Sequence, residues 1–366
     1  MLHFFSFREL WLDERSVLEN IRALAGPRIF GRLMHCQAFP RAYLYAVKSF
    51  SSFFHFSLFS LRIFPLACMC GAVFVWKAAY RRALGESAAF IAALFSFVVS
   101  FQLIYYSSEL KPYSMDVLAA GAFCLFLWHQ KDIEFKKPSK GSILFTVLMP
   151  LLPAFSYAAF FVFWIPAYNF IIFSRKNKAL LPLAVCYTGI SLAVSVLVYF
   201  FDIRFGLSES CLRGYWESYF ICTASPYCLI KSFGEGLRNI VAWPFGDSKF
   251  FIRTASFFIP FFAIGIFYAG VKCFKEAKRG ILGLDTIGFV IFAELFVLGI
   301  LKKYPFTGER ITLFFMPLVF FLIMRGISAF ARFRSLRAGF SAFYISFLIF
   351  CGFNSFVKFF KLFFKL

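Results

Sequence analysis

Four short polar stretches hold the side chains of this chain that could do chemistry. The first is LWLDERSVLENI, residues 10–21, where Asp13 and Glu14 stand side by side behind Trp11. A carboxylate held at a surface can act as general base toward a hydroxyl. The same pair also suits the first turn of a helix, where negative charge meets the positive end of the dipole. Ser16 and Glu19 have the spacing of a capping box. These residues alone leave both readings open. The second stretch is SSELKPYSMD, residues 107–116, with Glu109, Lys111 and Tyr113 around Pro112, a residue suited to the first position of a helix. It reads either as interfacial charges with a belt of Tyr105, Tyr106 and Tyr113, or as a site for a phosphate and a polar head group. In the third stretch, KKYPFTGERITLFFMP, residues 302–317, Arg310 heads an apolar run. Arg62 does the same in SLRIF, the fourth. A cation in that position calls for an anionic partner, most simply a lipid phosphate. Glu294 lies inside an apolar run and must be protonated or paired.

The elements that must position these groups are membrane helices. Hydrophobic residues make up 61% of the 366. That is well above a soluble domain, and the mean hydropathy is +0.76. Ten apolar segments are predicted as spans, at about 61–79, 87–106, 113–129, 142–155, 156–173, 179–201, 251–272, 284–301, 311–328 and 338–356. The alternating ten-residue segments of a membrane barrel are absent. Pro150, Pro153 and Ser156 interrupt the fourth and fifth segments. The 60 Phe need no functional reading, because Phe partitions into lipid about as well as Leu.

The net charge of +21 does not point to nucleic acid, because the basic residues sit between the apolar runs. They cluster in alternate loops, with Arg81 and Arg82, then Lys136 and Lys137, then Arg175 and Lys176, then Lys278 and Arg279, then Arg332 and Arg334. The positive-inside rule makes that face cytoplasmic. Residues 1–60, 107–112, 202–250 and 302–310 then share the opposite face, and the three most polar short stretches converge there. Nothing ahead of residues 1–60 can carry them across, so either the later spans translocate them or, the favoured expectation, a preceding helix is missing from the chain. The expected organisation is a first outer loop over 1–60, a membrane bundle over 61–201, an outer loop over 202–250 and further membrane helices over 251–366. Cys68, Cys70, Cys124, Cys186, Cys273 and Cys351 fall in or beside apolar runs and read as small core residues. Cys211, Cys222 and Cys228 share the long loop, where a disulfide among them is possible.

In this order, LWLDE, Gln37 and Pro40, SLRIF, YYSSELKPYSMDVL, YWESYF and YPFTGERITLFFMPL resemble the polytopic GT-C glycosyltransferases. That superfamily includes the protein O-mannosyltransferases and the lipid A aminoarabinose transferase, and the likeness is nearer to their bacterial family-39-like relatives. It runs over about residues 8–325. The resemblance implies an all-α GT-C-type bundle of about ten transmembrane helices with the family's first helix unmatched. It implies an inverting transfer of a sugar from a polyprenyl-phosphate donor to a lipid, glycan or protein acceptor, on the outer face of a bacterial inner membrane. Asp13 matches the family's first-loop catalytic acid, with Glu14 beside it. Glu109, Lys111 and Tyr113 match a Glu-Arg-Pro-Tyr pattern, with Lys where Arg is usual, and Arg310 matches a cation that meets the donor phosphate. Some relatives place a divalent ion near the carboxylates; with Asp13, Glu14 and Glu109 and no His pair, the cofactor stays unknown.

Physical chemistry points the same way. A lipid-linked donor arrives in the membrane plane, so its site lies at the interface. Cations at that boundary (Lys111, Arg62 and Arg310) can stabilise a departing phosphate. A carboxylate on the opposite side of the sugar can take the acceptor's proton. The rival readings are a transporter or flippase for lipid-linked oligosaccharides and an inactive scaffold subunit. A transporter needs polar residues at mid-membrane depth, and Glu294 is nearly alone there.

Overall fold

The computed structural model describes residues 8–23, 31–135, 139–208, 210–246, 248–279, 282–330 and 334–364. Among them there is no strand, and every apolar segment expected to span becomes helical. Four helices among the described residues are long and apolar enough to cross a membrane: Leu58–Leu84, Lys178–Gly206, Arg310–Ala329 and Ala338–Lys361. Lys249–Ser256 and Ile259–Ala277 add a fifth if taken as one span bent by 49°. The bend falls at Phe257 and Phe258, between the two helices, and Pro260 stands in the first turn of the second, where its missing N–H costs no helical bond.

The other expected spans are short, broken or more polar. Residues 87–106 split at Ser100, whose extended backbone ends Ala88–Val99 and caps Phe101–Tyr106. The run with Pro150 and Pro153 winds down from the helix Lys140–Leu148 into a 3-10 stretch, Met149–Ala154, because proline gives no N–H to the α-helical ladder. Tyr113–Phe135 is long at 23 residues but carries Asp116, Gln130 and Lys131. Leu284–Ile300 is 17 residues.

The bundle has two chemically different ends. At one, Arg325 donates to the carbonyl of Ala83 at 2.9 Å and pairs with Asp285 at 3.0 Å. Lys272 pairs with the same carboxylate, and Glu276 accepts from the Gly283 amide at 2.9 Å and the Thr286 hydroxyl at 2.7 Å. These contacts tie together the helix ends that carry the basic loops. At the other end, the Ile221 amide donates to Gly299 at 3.2 Å and the Phe306 amide donates to Tyr219 at 3.0 Å. Asp13, the 107–112 turn, the 202–250 loop and the 302–310 turn all meet here, as the charge pattern predicts.

Between the ends the packing is close. A Cβ on Gly326 would lie 1.7 Å from the Phe261 carbonyl oxygen. The helices Ile259–Arg279 and Met316–Phe330 therefore touch backbone to backbone, the contact that small residues permit. The first loop is likewise folded. Its helices Leu12–Ala23 and Arg41–Ser52 form a separate apolar cluster, in which Val17, Ile21, Tyr43, Leu44 and Val47 pack on Leu61, Leu110 and Met115.

Candidate active site

Asp13 lies in the first turn of Leu12–Ala23. The expected capping box does not form. Ser16 Oγ donates back to the Leu12 carbonyl at 3.1 Å, and Glu19 reaches His35 at 2.5 Å. The helix starts earlier than that pattern implied, and Glu14 accepts from the Trp11 amide at 3.4 Å.

Two layers of charge follow from this start. In the outer layer, Asp13 Oδ1 meets Lys111 Nζ at 2.8 Å and Gln37 Nε2 at 3.0 Å. Its Oδ2 meets Arg310 Nη1 at 2.8 Å. Gln37 closes the ring by accepting from Lys111 Nζ at 3.2 Å. Four segments far apart in sequence thus supply one cluster. Aromatic rings wall it, placed where cations favour a ring face. Lys111 sits 4.7 Å over Phe39, and the Arg310 guanidinium lies 5.5 Å from the Trp11 ring and 5.7 Å from Tyr215.

The inner layer is largely buried. Glu14 is fully buried, accepts from the Leu110 amide at 2.9 Å, and pairs with Arg8 at 3.3 Å and Arg62 at 3.4 Å. Arg62, 2% exposed, also donates to the Arg8 carbonyl at 2.8 Å. Glu109 is buried beside Arg8 at 3.4 Å. Buried cations and carboxylates pair here, and the product is a clamp. It fixes the entry to the first helix against the 107–112 turn. Arg62, expected to face a lipid phosphate, has its counter-charge inside the protein. Asp13 and Arg310, each with a side chain 17% exposed, are the members of the outer layer that reach the surface, and Arg8 is the member of the inner layer that does. Tyr113 is buried edge-on to Tyr106, with ring centres 5.3 Å apart, and forms the floor.

Local structure aims each group. Lys111 is held through its own backbone, whose carbonyl accepts from Tyr43 Oη at 2.7 Å. Arg310 begins a helical turn capped reciprocally by Glu309 and Thr312. That turn can lie against the helix Pro226–Ala242 because residue 308 is glycine: a Cβ there would be 2.1 Å from the Asn239 carbonyl oxygen.

The electrostatics follow from burial opposed by pairing. Burial raises the Asp13 carboxyl, but Lys111, Arg310 and Gln37 outweigh it and hold it below the ordinary range. Burial pushes the Lys111 ammonium down to about 8 against the pull of Asp13. Burial, with the Glu14 charge behind it, pushes Glu109 up to about 7 against Arg8, Lys111 and Arg310. Among the described residues, no three His, Cys, Asp or Glu gather as metal ligands. The carboxylates present are committed to cations, so this donor set does not fit a divalent ion.

Several residues carry roles that motif reading did not assign. Gln37 stands in the sequence pattern without a stated task. Arg8, Tyr43 and Tyr215 become site residues only through long-range contacts. The cysteines differ from expectation too. Cys222 pairs with Cys228 inside the long loop, but Cys211 pairs with Cys36 of the first loop. Three loop cysteines make an odd set, and the fourth partner had to come from elsewhere. Glu294 finds a partner in Trp164, whose indole donates at 2.9 Å. It lines a lateral cavity of about 400 Å³ with Phe160 and Phe161.

The described residues thus form an all-helical architecture, with helices long and apolar enough to cross a membrane and a polar end built from the first loop. A crystal structure of ArnT from Cupriavidus metallidurans in the apo state is similar in fold, with a TM-score of 0.50 at 12% sequence identity. The match covers 93% of this chain and 59% of that one, so the chain spans well under two thirds of the matched protein. At that identity the likeness is one of fold. No family model matches the chain, and no curated protein matches its sequence.

Proposed function

We propose that this protein is an inverting glycosyltransferase that moves a sugar from a polyprenyl-phosphate donor to an acceptor hydroxyl. We place it in a bacterial cytoplasmic membrane, with its site on the extracytoplasmic face, because the basic loops gather at the opposite end of the bundle. The observation that carries the reading is the solvent-reaching cluster of Asp13, Lys111 and Arg310 at the polar end.

In the resting site Asp13 serves as counter-ion to two cations. A phosphate ester bound there is a stronger partner for both, since lysine and arginine each pair well with phosphate oxygens. As Lys111 and Arg310 turn to the donor, Asp13 loses the charges that depress it and becomes the better base. The acceptor oxygen then bonds to the anomeric carbon. The carbon–oxygen bond to phosphate breaks, its electron pair stays on the phosphate, and the acceptor proton passes to Asp13. Attack from the face opposite the leaving group inverts the anomeric centre. Lys111 and Arg310 stabilise charge where it develops, while Glu14 and Arg62 hold the scaffold beneath. Mobile lipid-linked sugars reach such a site within the membrane plane, and Trp11 and Tyr215 stand at its rim.

Purified protein with a polyprenyl-phosphate sugar in lipid nanodiscs tests the reading. Asp13→Asn should lower turnover by about 10²–10⁴, the usual range for a general base, and keep its melting temperature. A variant that folds and turns over at the wild-type rate would overturn it.

A further inference from the structure

We propose that Gln37 is a positioning residue for the Asp13–Lys111 pair, and that the Cys36–Cys211 disulfide holds it in place. The proposal rests on the transfer reaction above and adds a part that neither the fold nor the motifs assign.

Gln37 is the neutral group that touches both members of the pair. It donates to Asp13 at 3.0 Å and accepts from Lys111 at 3.2 Å. When the donor phosphate draws Lys111 and Arg310 away, the Gln37 amide stays on the carboxylate and keeps it aimed. A neutral donor orients a base and lowers its basicity by its hydrogen bond alone, without the added charge of a cation.

The backbone that presents Gln37 does not hold its shape by preference. His35 and Cys36 both sit at positive φ, 59° and 53°. Non-glycine residues seldom occupy that region. Such a turn persists when its surroundings over-determine it. Three fastenings do so here. Asn20 bonds the Met34 amide at 2.8 Å and its carbonyl at 3.1 Å, and Glu19 pairs with His35. The third is the disulfide from Cys36, the residue before Gln37, to Cys211. Cys211 lies four residues before Tyr215, whose ring faces Arg310. One covalent bond thus ties the turn that aims Gln37 to the segment that walls the Arg310 cation.

The groups facing Lys111 are Asp13, Glu109, Arg310 and Gln37. Removing the Gln37 oxygen takes a hydrogen bond from the charged ammonium, so the ammonium should lose its proton at lower pH. The test is carried out on the full-length protein in nanodiscs. Reductive methylation with formaldehyde across a pH series, read by peptide mass spectrometry, gives the Lys111 titration without any need for turnover. Gln37→Ala should shift that titration to lower pH, and kcat for transfer should fall about tenfold, the loss of roughly one hydrogen bond to a charged group, with KM little changed. Cys36→Ser with Cys211→Ser, or reduction of wild type, should produce the same two shifts and add nothing further in Gln37→Ala. Gln37→Glu should not restore kcat, since a second carboxylate repels Asp13. An unmoved Lys111 titration in Gln37→Ala overturns the positioning role. Loss of the disulfide acting equally on wild type and on Gln37→Ala overturns the link between them. If Lys111 moves as stated while no variant and no wild type transfers sugar, the positioning stands and the transferase reading fails.

Discussion

Asp13 holds two cations at once, and that single fact organises the site at the residue scale. Lys111 is the more pH-sensitive of the two because burial brings it to about 8. A neutral amine cannot pair with phosphate, so kcat/KM should fall as pH rises through about 8 in wild type. Lys111→Arg should carry that limb above pH ~10, since guanidinium stays protonated throughout. A pH series of kcat/KM on both proteins checks this, and an unmoved limb would remove Lys111 from the reaction. Arg62 makes the opposite case. It shares its residue type with Arg310 and also stands near an apolar helix head, yet its partner is Glu14 and its place is buried. Arg62→Ala leaves a buried carboxylate short of a partner and should lower unfolding stability by about 3–5 kcal/mol. Thermal melts in detergent report it; an unchanged melting temperature would mean the clamp contributes little.

At the scale of elements, the site depends on how closely turns and helices approach. Arg310 reaches Asp13 because the 302–310 turn lies directly on Pro226–Ala242, and Gly308 permits that contact. Gly308→Ala should displace the turn, weaken donor binding and cut kcat/KM about tenfold or more, with the rest of the bundle intact. Transfer assays together with melting curves distinguish this from global unfolding. Sequence reading found the segments but not all their shapes. Helical content, the charged ends and the gathering of the polar stretches at one end were legible, because apolar runs and basic loops are written in composition. The direct contact of Asp13 with Lys111 and Arg310 was not, since the expectation set the carboxylate and the cations on opposite sides of a sugar. The break at Ser100 was not legible, since hydropathy averages over one extended residue. The inward turn of Glu14 was also hidden. Adjacent residues on a helix point about 100° apart, so a neighbouring pair cannot share one face, and packing decides which member goes inside. The Cys36–Cys211 link lay beyond reach because it joins positions 175 apart.

At the scale of the whole molecule, the chain separates two tasks along one axis. Arg325, Asp285, Lys272 and Glu276 lock the basic end, while the polar end gathers the first loop, the long loop and two short turns around one carboxylate. In the proposed function, the apolar helices between them place that carboxylate at interface depth, where a lipid-linked sugar and a second substrate would meet. The most direct test of this account is mass spectrometry of polyprenyl-phosphate sugars and surface glycans from cells carrying wild-type protein or Asp13→Asn. The account predicts that one lipid-linked sugar accumulates in the variant while one glycan loses the matching unit. Unchanged pools, with the variant present and folded in the membrane, would contradict it.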